Sequence, residues 1–197
     1  MNNYYRILNN FILTSSNIEF LQNMCETYRC KALNKSPSGS VNYGPDYRAF
    51  YLKTANVSYK NNSFFSDMLK ILSNIKTHNT LDKIYDNSHI AIIDNVLKPH
   101  VDRRQCVISF AIQPIEPLYW YNTPFDKNYI RWPLEWTNVK EYASKFEELC
   151  SMTYPKDKLV LVNTKIPHGN LHGVNNRILF QIGGFTDGFD EVFSLIN

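Results

Sequence analysis

The chain has 197 residues, enough for one domain with a full core. Hydrophobic residues make up 44% and charged residues 20%, which excludes an intrinsically disordered chain. A net charge of +3 with no basic run argues against a broad nucleic-acid surface, and no window of about 18 apolar residues is present to span a membrane.

In chain order, the first part reads as helical. Residues 1–20 lack a charged start followed by an apolar stretch, so no signal peptide is expected. Asn17 or Ser16 is placed to cap a helix with Ile18, Leu21, Met24, Cys25 and Tyr28 on one face. A Ser/Pro/Gly stretch at 36–40, followed by Gly44 and Pro45, predicts a loop. Alternation over 48–59 predicts one or two strands, and Phe64, Met68, Leu69, Leu72 and Ile75 predict a helix over 63–75.

After that the period changes from 3.6 to 2. Residues 89–96, 105–112, 118–121, 158–163 and 177–182 read as strands, with a helix over 139–150 between them. Pro114, Pro117, Pro124 and Pro133 keep the middle section rich in turns. Helices first and strands later predict an α+β fold, with helices buttressing one sheet of a β-sandwich such as a jelly roll. The expected organisation is one domain over 1–197, mostly helical support over 1–80 and a jelly-roll core over 84–185 that carries the helical insertion.

Two motifs carry chemistry. The first is Lys98-Pro99-His100-Val101-Asp102, between two strand-like segments. Residues i and i+2 of an extended chain face one side, so His100 and Asp102 can converge on one point. Such a mixed nitrogen and oxygen pair suits Fe(II), and equally Mn, Zn or Ni, and it needs a third ligand from elsewhere. The second motif is Pro167-His168-Gly169-Asn170-Leu171-His172, running on to Arg177 at the start of a strand. His168 and His172 compete for the third ligand position. A buried Arg177 needs a carboxylate partner, and arginine is the side chain best shaped for a bidentate grip.

With these residues the stretch from about 89 to 182 resembles the 2-oxoglutarate/Fe(II) oxygenase superfamily, in particular its aspartyl/asparaginyl β-hydroxylase-like and phage-encoded branches. The resemblance rests on His100-x-Asp102, His168 in a Pro-His-Gly setting, and Arg177 on the following strand. It implies a double-stranded β-helix in which His100, Asp102 and His168 hold Fe(II). Arg177 is implied to take the far carboxylate of 2-oxoglutarate, and His172 a supporting or substrate-side place. It also implies a dioxygenase that uses molecular oxygen to hydroxylate a small-molecule or peptidyl substrate, with an amino acid or peptidyl side chain as first expectation.

Two positions depart from the family pattern. Leu179 stands two residues after Arg177, where many members carry a serine or similar polar group that also touches 2-oxoglutarate. The second contact then falls to Ser109, Tyr119, Tyr121 or Gln181. The stretch Val107-Ile108-Ser109-Phe110-Ala111 lacks the arginine found there in part of the β-hydroxylase branch.

The remaining residues have plainer readings. Arg103 reads as a solvated charge, and Arg104 as that or as a group steering an anionic substrate. His89 reads as a sheet residue, His78 as exposed, and Cys106 as a small core residue. Trp120, Trp132, Trp136, Tyr119, Tyr121 and Tyr129 either wall a substrate pocket or pack a core. Cys25, Cys30, Cys106 and Cys150 form no Cys-x-x-Cys pair and read as reduced thiols of a cytoplasmic protein. Two alternatives stand beside the oxygenase: a cupin-like metal jelly roll that does not use 2-oxoglutarate, and a non-catalytic binding protein. A nucleic-acid demethylase of the same superfamily is disfavoured by the low charge.

Overall fold

The computed structural model describes residues 3–33, 40–42, 47–51, 63, 72, 88–102, 104–112, 116–123 and 144–196. The elements in order are β1 (Tyr5–Ile12), α1 (Ser15–Leu33), β2 (Ser40–Asn42), β3 (Tyr47–Tyr51), β4 (His89–His100) and β5 (Cys106–Ala111). They continue with β6 (Leu118–Asn122), β7 (Glu147–Met152), β8 (Lys158–Asn163), β9 (His168–Phe185) and α2 (Phe189–Ile196). Among the described residues every strand pairing is antiparallel, and the main path runs β1-β8-β5-β9-β4-β3-β2.

The long strand β9 joins this sheet to a smaller ribbon. Its first residues pair with β6, through Tyr119 with Gly169 and Trp120 with His168, and β6 pairs in turn with β7. Further along, the same strand pairs with β5 through Ile108, Ser109, Phe110 and Ala111. The β4–β9 ladder shifts register three times between Ile93 and His100. Such irregularities bend a strand and re-aim its side chains, and these three lie just before the His100 end.

The core has two layers, one on each face of the main sheet. On one face Leu21 and Met24 of α1 and Phe189, Val192 and Ile196 of α2 meet Ile108, Phe110, Leu159, Leu161, Ile178 and Phe180. On the other face Val107, Val160, Val162 and Leu179 meet Leu118 and Trp120 of β6 and Met152 of β7. Strands β5 and β8 are therefore covered on both sides, which is why they read as nearly continuous apolar runs. Trp120 is fully buried, and its indole N–H donates to the Asn163 carbonyl at 3.2 Å, so its polar edge is satisfied.

Several sequence expectations hold and others are corrected. Strands over 89–96, 105–112, 118–121, 158–163 and 177–182 all form, the first and last as parts of longer strands. The opening of the chain is a strand before it is a helix: β1 pairs with β8 at the sheet edge. Paired on one side only, it does not need the clean alternation that marks a central strand. Helix α1 forms with Leu21 and Met24 inward, but its cap is Thr14 rather than Asn17 or Ser16. The Thr14 hydroxyl accepts from the Asn17 N–H at 3.2 Å, and Asn17 Oδ1 accepts from the Thr14 N–H at 3.1 Å, a reciprocal capping box.

Of the helix expected over 139–150, residues 139–143 lie outside the described residues and the remainder is corrected, because residues 144–145 form a turn and Glu147–Met152 is strand β7. Phe146 and Cys150 are spaced as on a helix face, but here Phe146 packs on Tyr121 and Cys150 lies opposite Trp120. The 36–40 loop except Ser40, the 48–59 strand beyond Tyr51, His78, Tyr129, Trp132 and Trp136 lie outside the described residues. So does the 63–75 helix, apart from helical Ser63 and Leu72.

Candidate metal centre

His100 ends β4 and His168 begins β9, and the two are register partners. Their rings lie with centroids 4.5 Å apart. Asp102 follows His100 in the segment that leaves the sheet, where its N–H donates to the Thr164 carbonyl at 3.0 Å. This bond ties the segment to the residue that follows β8, and Asp102 Oδ1 lies 3.5 Å from His100 Nε2. One ligand atom from each of His100, Asp102 and His168 lies within 4.8 Å of the others.

The surroundings set the chemical state of this trio. His168 Nδ1 is 3.0 Å from the Ile166 carbonyl, an acceptor only, so Nδ1 carries the proton and Nε2 presents its lone pair. Burial, then the neighbouring His100, pushes the His168 imidazole down to about 4, so it is neutral at ordinary pH. Burial alone would raise the Asp102 carboxyl. The Arg104 guanidinium, followed by His100 and His168, more than offsets this and holds it well below the usual carboxylate range. Two imidazoles and one ionised carboxylate on one side of a cleft are a donor set that fits a divalent transition metal.

The trio lines a narrow cleft with a cavity volume of about 40 Å³, well below the size of sites that enclose a drug-sized ligand. Beyond the trio its wall is largely apolar, with Ile93, Leu97, Val107, Leu118, Val162 and Leu179. Arg104, Thr164, Gln181 and Tyr154 supply its other polar groups. Burial pushes the Tyr154 phenol up, with Ser109, Arg177 and Arg104 acting against it.

Arg177 sits on β9, two residues before Leu179, and is only 1% exposed. Its Nη2 donates to the Glu116 carbonyl and, at 3.1 Å, to the Pro117 carbonyl. Among the described residues its Nε and Nη1 have no hydrogen-bond partner. Burial pulls its pKa down, opposed by Tyr154 and Glu116 first. A buried guanidinium with two open N–H groups fits a carboxylate.

The other expected site residues are placed as follows. His172 is turned away from the trio: its Nε2 contacts Glu148 and its ring lies 4.9 Å from that of Tyr119. Tyr119 and Tyr121 lie outside the cleft wall with their rings tilted at 33° and centroids 6.2 Å apart, and the Tyr121 hydroxyl accepts from the Leu171 N–H at 3.3 Å. Ser109 is buried on β5, and Gln181 lines the cleft with its Oε1 taken by Arg104. Arg104 is paired to Asp102 instead of standing free to steer a substrate. Tyr154, Thr164 and the Arg104–Asp102 pair were not found by sequence reasoning. Only the short Asp102-x-Arg104 spacing hinted at the last. His89 is a buried sheet residue, and Cys106 is a buried core thiol.

No family model matches the chain, and no curated protein matches it. Among solved structures the chain is similar to HygX from Streptomyces hygroscopicus with nickel, 2-oxoglutarate and hygromycin B bound. The identity is 12% and the TM-score 0.48, over 93% of this chain and 84% of that one. HygX with nickel and 2-oxoglutarate bound aligns at 14% identity and a TM-score of 0.40, over 84% of this chain and 79% of that one. No helix among the described residues is long and apolar enough to cross a membrane.

Proposed function

We propose that this chain is an Fe(II)- and 2-oxoglutarate-dependent dioxygenase, built as one jelly-roll domain over 1–197 and acting in the cytoplasm. The observation that carries the reading is the convergence of His100, Asp102 and His168 within 4.8 Å of one another in the wall of one narrow cleft. These three would hold Fe(II), and Arg177 would hold the far carboxylate of 2-oxoglutarate. When bound, that pair of groups supplies oxidation of a substrate C–H bond by molecular oxygen, with 2-oxoglutarate leaving as succinate and carbon dioxide.

The chain's own residues bind, orient and exclude water. The Ile166 carbonyl fixes the His168 tautomer, so a neutral Nε2 faces the metal position. Asp102 stays ionised and supplies one negative charge against a dipositive ion. Val107, Leu118, Val162 and Leu179 keep bulk water from the reacting side. Ser109, Gln181 and Tyr119 remain the proposed further contacts for 2-oxoglutarate. Hydroxylation of an amino acid or peptidyl side chain is the proposed reaction.

A second reading, a cupin-like metal jelly roll that does not use 2-oxoglutarate, is favoured by one observation: Arg177 stands outside the wall of the cleft that holds the trio. Anaerobic addition of Fe(II) and then 2-oxoglutarate separates the two. The oxygenase gives a visible charge-transfer band on the second addition, and releases succinate once oxygen is admitted with a substrate. Fe(II) binding with no band on adding 2-oxoglutarate supports the second reading, and no metal binding at all removes both.

A further inference from the structure

Arg104 lies between the trio and β5, and its guanidinium is shared between two acceptors. Its Nε donates to Asp102 Oδ2 at 2.6 Å, and its Nη2 donates to Gln181 Oε1 at 2.7 Å. A guanidinium is a rigid planar fork, so two acceptors on different strands and loops fix both its position and its plane. The backbone of the same turn is held separately. The Thr164 hydroxyl donates to the Arg104 carbonyl at 2.8 Å, and Lys165 Nζ donates to the Asp102 carbonyl at 3.1 Å. Asp102 is thus fixed along its chain and at the tip of its side chain. Oδ2 is committed to Arg104, while Oδ1 faces His100 Nε2 at 3.5 Å.

We infer that Arg104 and Gln181 are positioning residues that hold Asp102 as a one-oxygen metal ligand; this rests on the metal reading above. A free carboxylate can swing to bind through both oxygens and occupy a further coordination position. With Oδ2 held by Arg104, that position stays open for exchangeable ligands. Gln181 anchors the far side of the fork. Its main role is then to support Arg104, and contact with a co-substrate through its other amide atom is secondary. The Asp102–Arg104–Gln181 chain links the segment after β4 to the later part of β9, so the carboxylate is tied to a strand whose neighbouring Phe180 and Ile182 are buried.

The test is Co(II) titration of the full chain by calorimetry, with the visible ligand-field spectrum recorded at each step as a report of coordination number. Wild type, Arg104→Lys, Gln181→Leu, Gln181→Glu and His100→Ala are compared. Lysine keeps the charge but cannot bridge two acceptors. Arg104→Lys is therefore expected to weaken Co(II) about 10- to 100-fold and to change the spectrum. Gln181→Leu moves affinity and spectrum in the same direction, and Gln181→Glu, which keeps an acceptor for Arg104, restores them toward wild type.

Wild-type affinity and spectrum in Arg104→Lys, alongside loss of binding in His100→Ala, overturn the positioning role and leave the metal reading intact. No Co(II) uptake by wild type overturns both. Should Arg104→Lys fail to fold, the Gln181 pair decides: loss with leucine and recovery with glutamate support the role, and no difference between them overturns it.

Discussion

His100 and His168 face each other across the end of the β4–β9 ladder as register partners, with ring centroids 4.5 Å apart. Two strands that are far apart in sequence thus deliver two imidazoles to one place, and Asp102 closes the third side. His100→Ala and His168→Ala are each expected to cut divalent-metal affinity by about 100-fold or more, since each removes one of the proposed ligands, whereas losing a residue that only supports a ligand costs about 10- to 100-fold. His172→Ala is expected to leave affinity unchanged, because that ring contacts Glu148 and Tyr119 instead. Calorimetric titration with Mn(II) or Co(II) checks all three. Metal loss in His172→Ala with retention in His168→Ala would reverse the assignment.

Arg177→Met tests the co-substrate. Charge-assisted hydrogen bonds are worth roughly 1.5–3 kcal/mol each, so 2-oxoglutarate affinity is expected to fall by at least tenfold. Co(II) affinity should not move, since Arg177 does not line the cleft that holds the trio. Titration of 2-oxoglutarate into Co(II)-loaded protein is the measurement, and an unchanged affinity would leave the second reading standing.

Gly183 has φ +72°, and a Cβ added there would lie 3.0 Å from the Phe185 ring, which is itself fully buried. Its N–H also donates to the Ser88 hydroxyl at 3.1 Å. Gly183→Ala is expected to cost about 1–3 kcal/mol of stability, from backbone strain and the displaced ring. Urea unfolding with unchanged m-value would show it as a lower midpoint.

Alkaline pH should destabilise the fold. Burial pushes the Cys106 thiol from 9.0 up to about 12, and burial likewise raises the Tyr121 and Tyr154 phenols. In each case the folded chain keeps a proton that the unfolded chain gives up. The stabilisation is therefore complete below the ordinary thiol value and is lost as pH rises from about 9 toward 12. Thermal melts at pH 8, 9 and 10 should show a falling midpoint. Alkylation at pH 8, mapped by mass spectrometry, should label the part-exposed Cys150 well before buried Cys106.

Trp120→Phe removes an indole that is fully buried and donates to the Asn163 carbonyl at 3.2 Å. The loss of that bond and the smaller ring are expected to cost about 1–3 kcal/mol. Because Trp120 is the register partner of His168, metal affinity should weaken as well. A destabilised variant with unaltered metal affinity would show that β6 does not help position His168.

Much of the sheet was legible in the sequence by itself. The run Lys158–Asn163 is a strand because an element covered on both faces must be apolar throughout, and its bounds follow from that alone. His100 and Asp102 were legible as a pair because an extended chain puts alternate residues on one side. The edge strands β1 and β7 were not legible as strands: with pairing on one side only, they carry exposed residues such as Leu149 and lack the periodicity that marks a strand. Between His168 and His172, the distance to Arg177 favoured His168 through the family resemblance, without excluding His172. Only the fold brings His168 beside His100 and Asp102, as the register partner of His100, while His172, about 13 Å further along an extended strand, contacts Glu148. The Arg104 fork across Asp102 and Gln181 likewise needed the fold, since those acceptors are 79 positions apart in the chain and meet only when β9 lies beside β5.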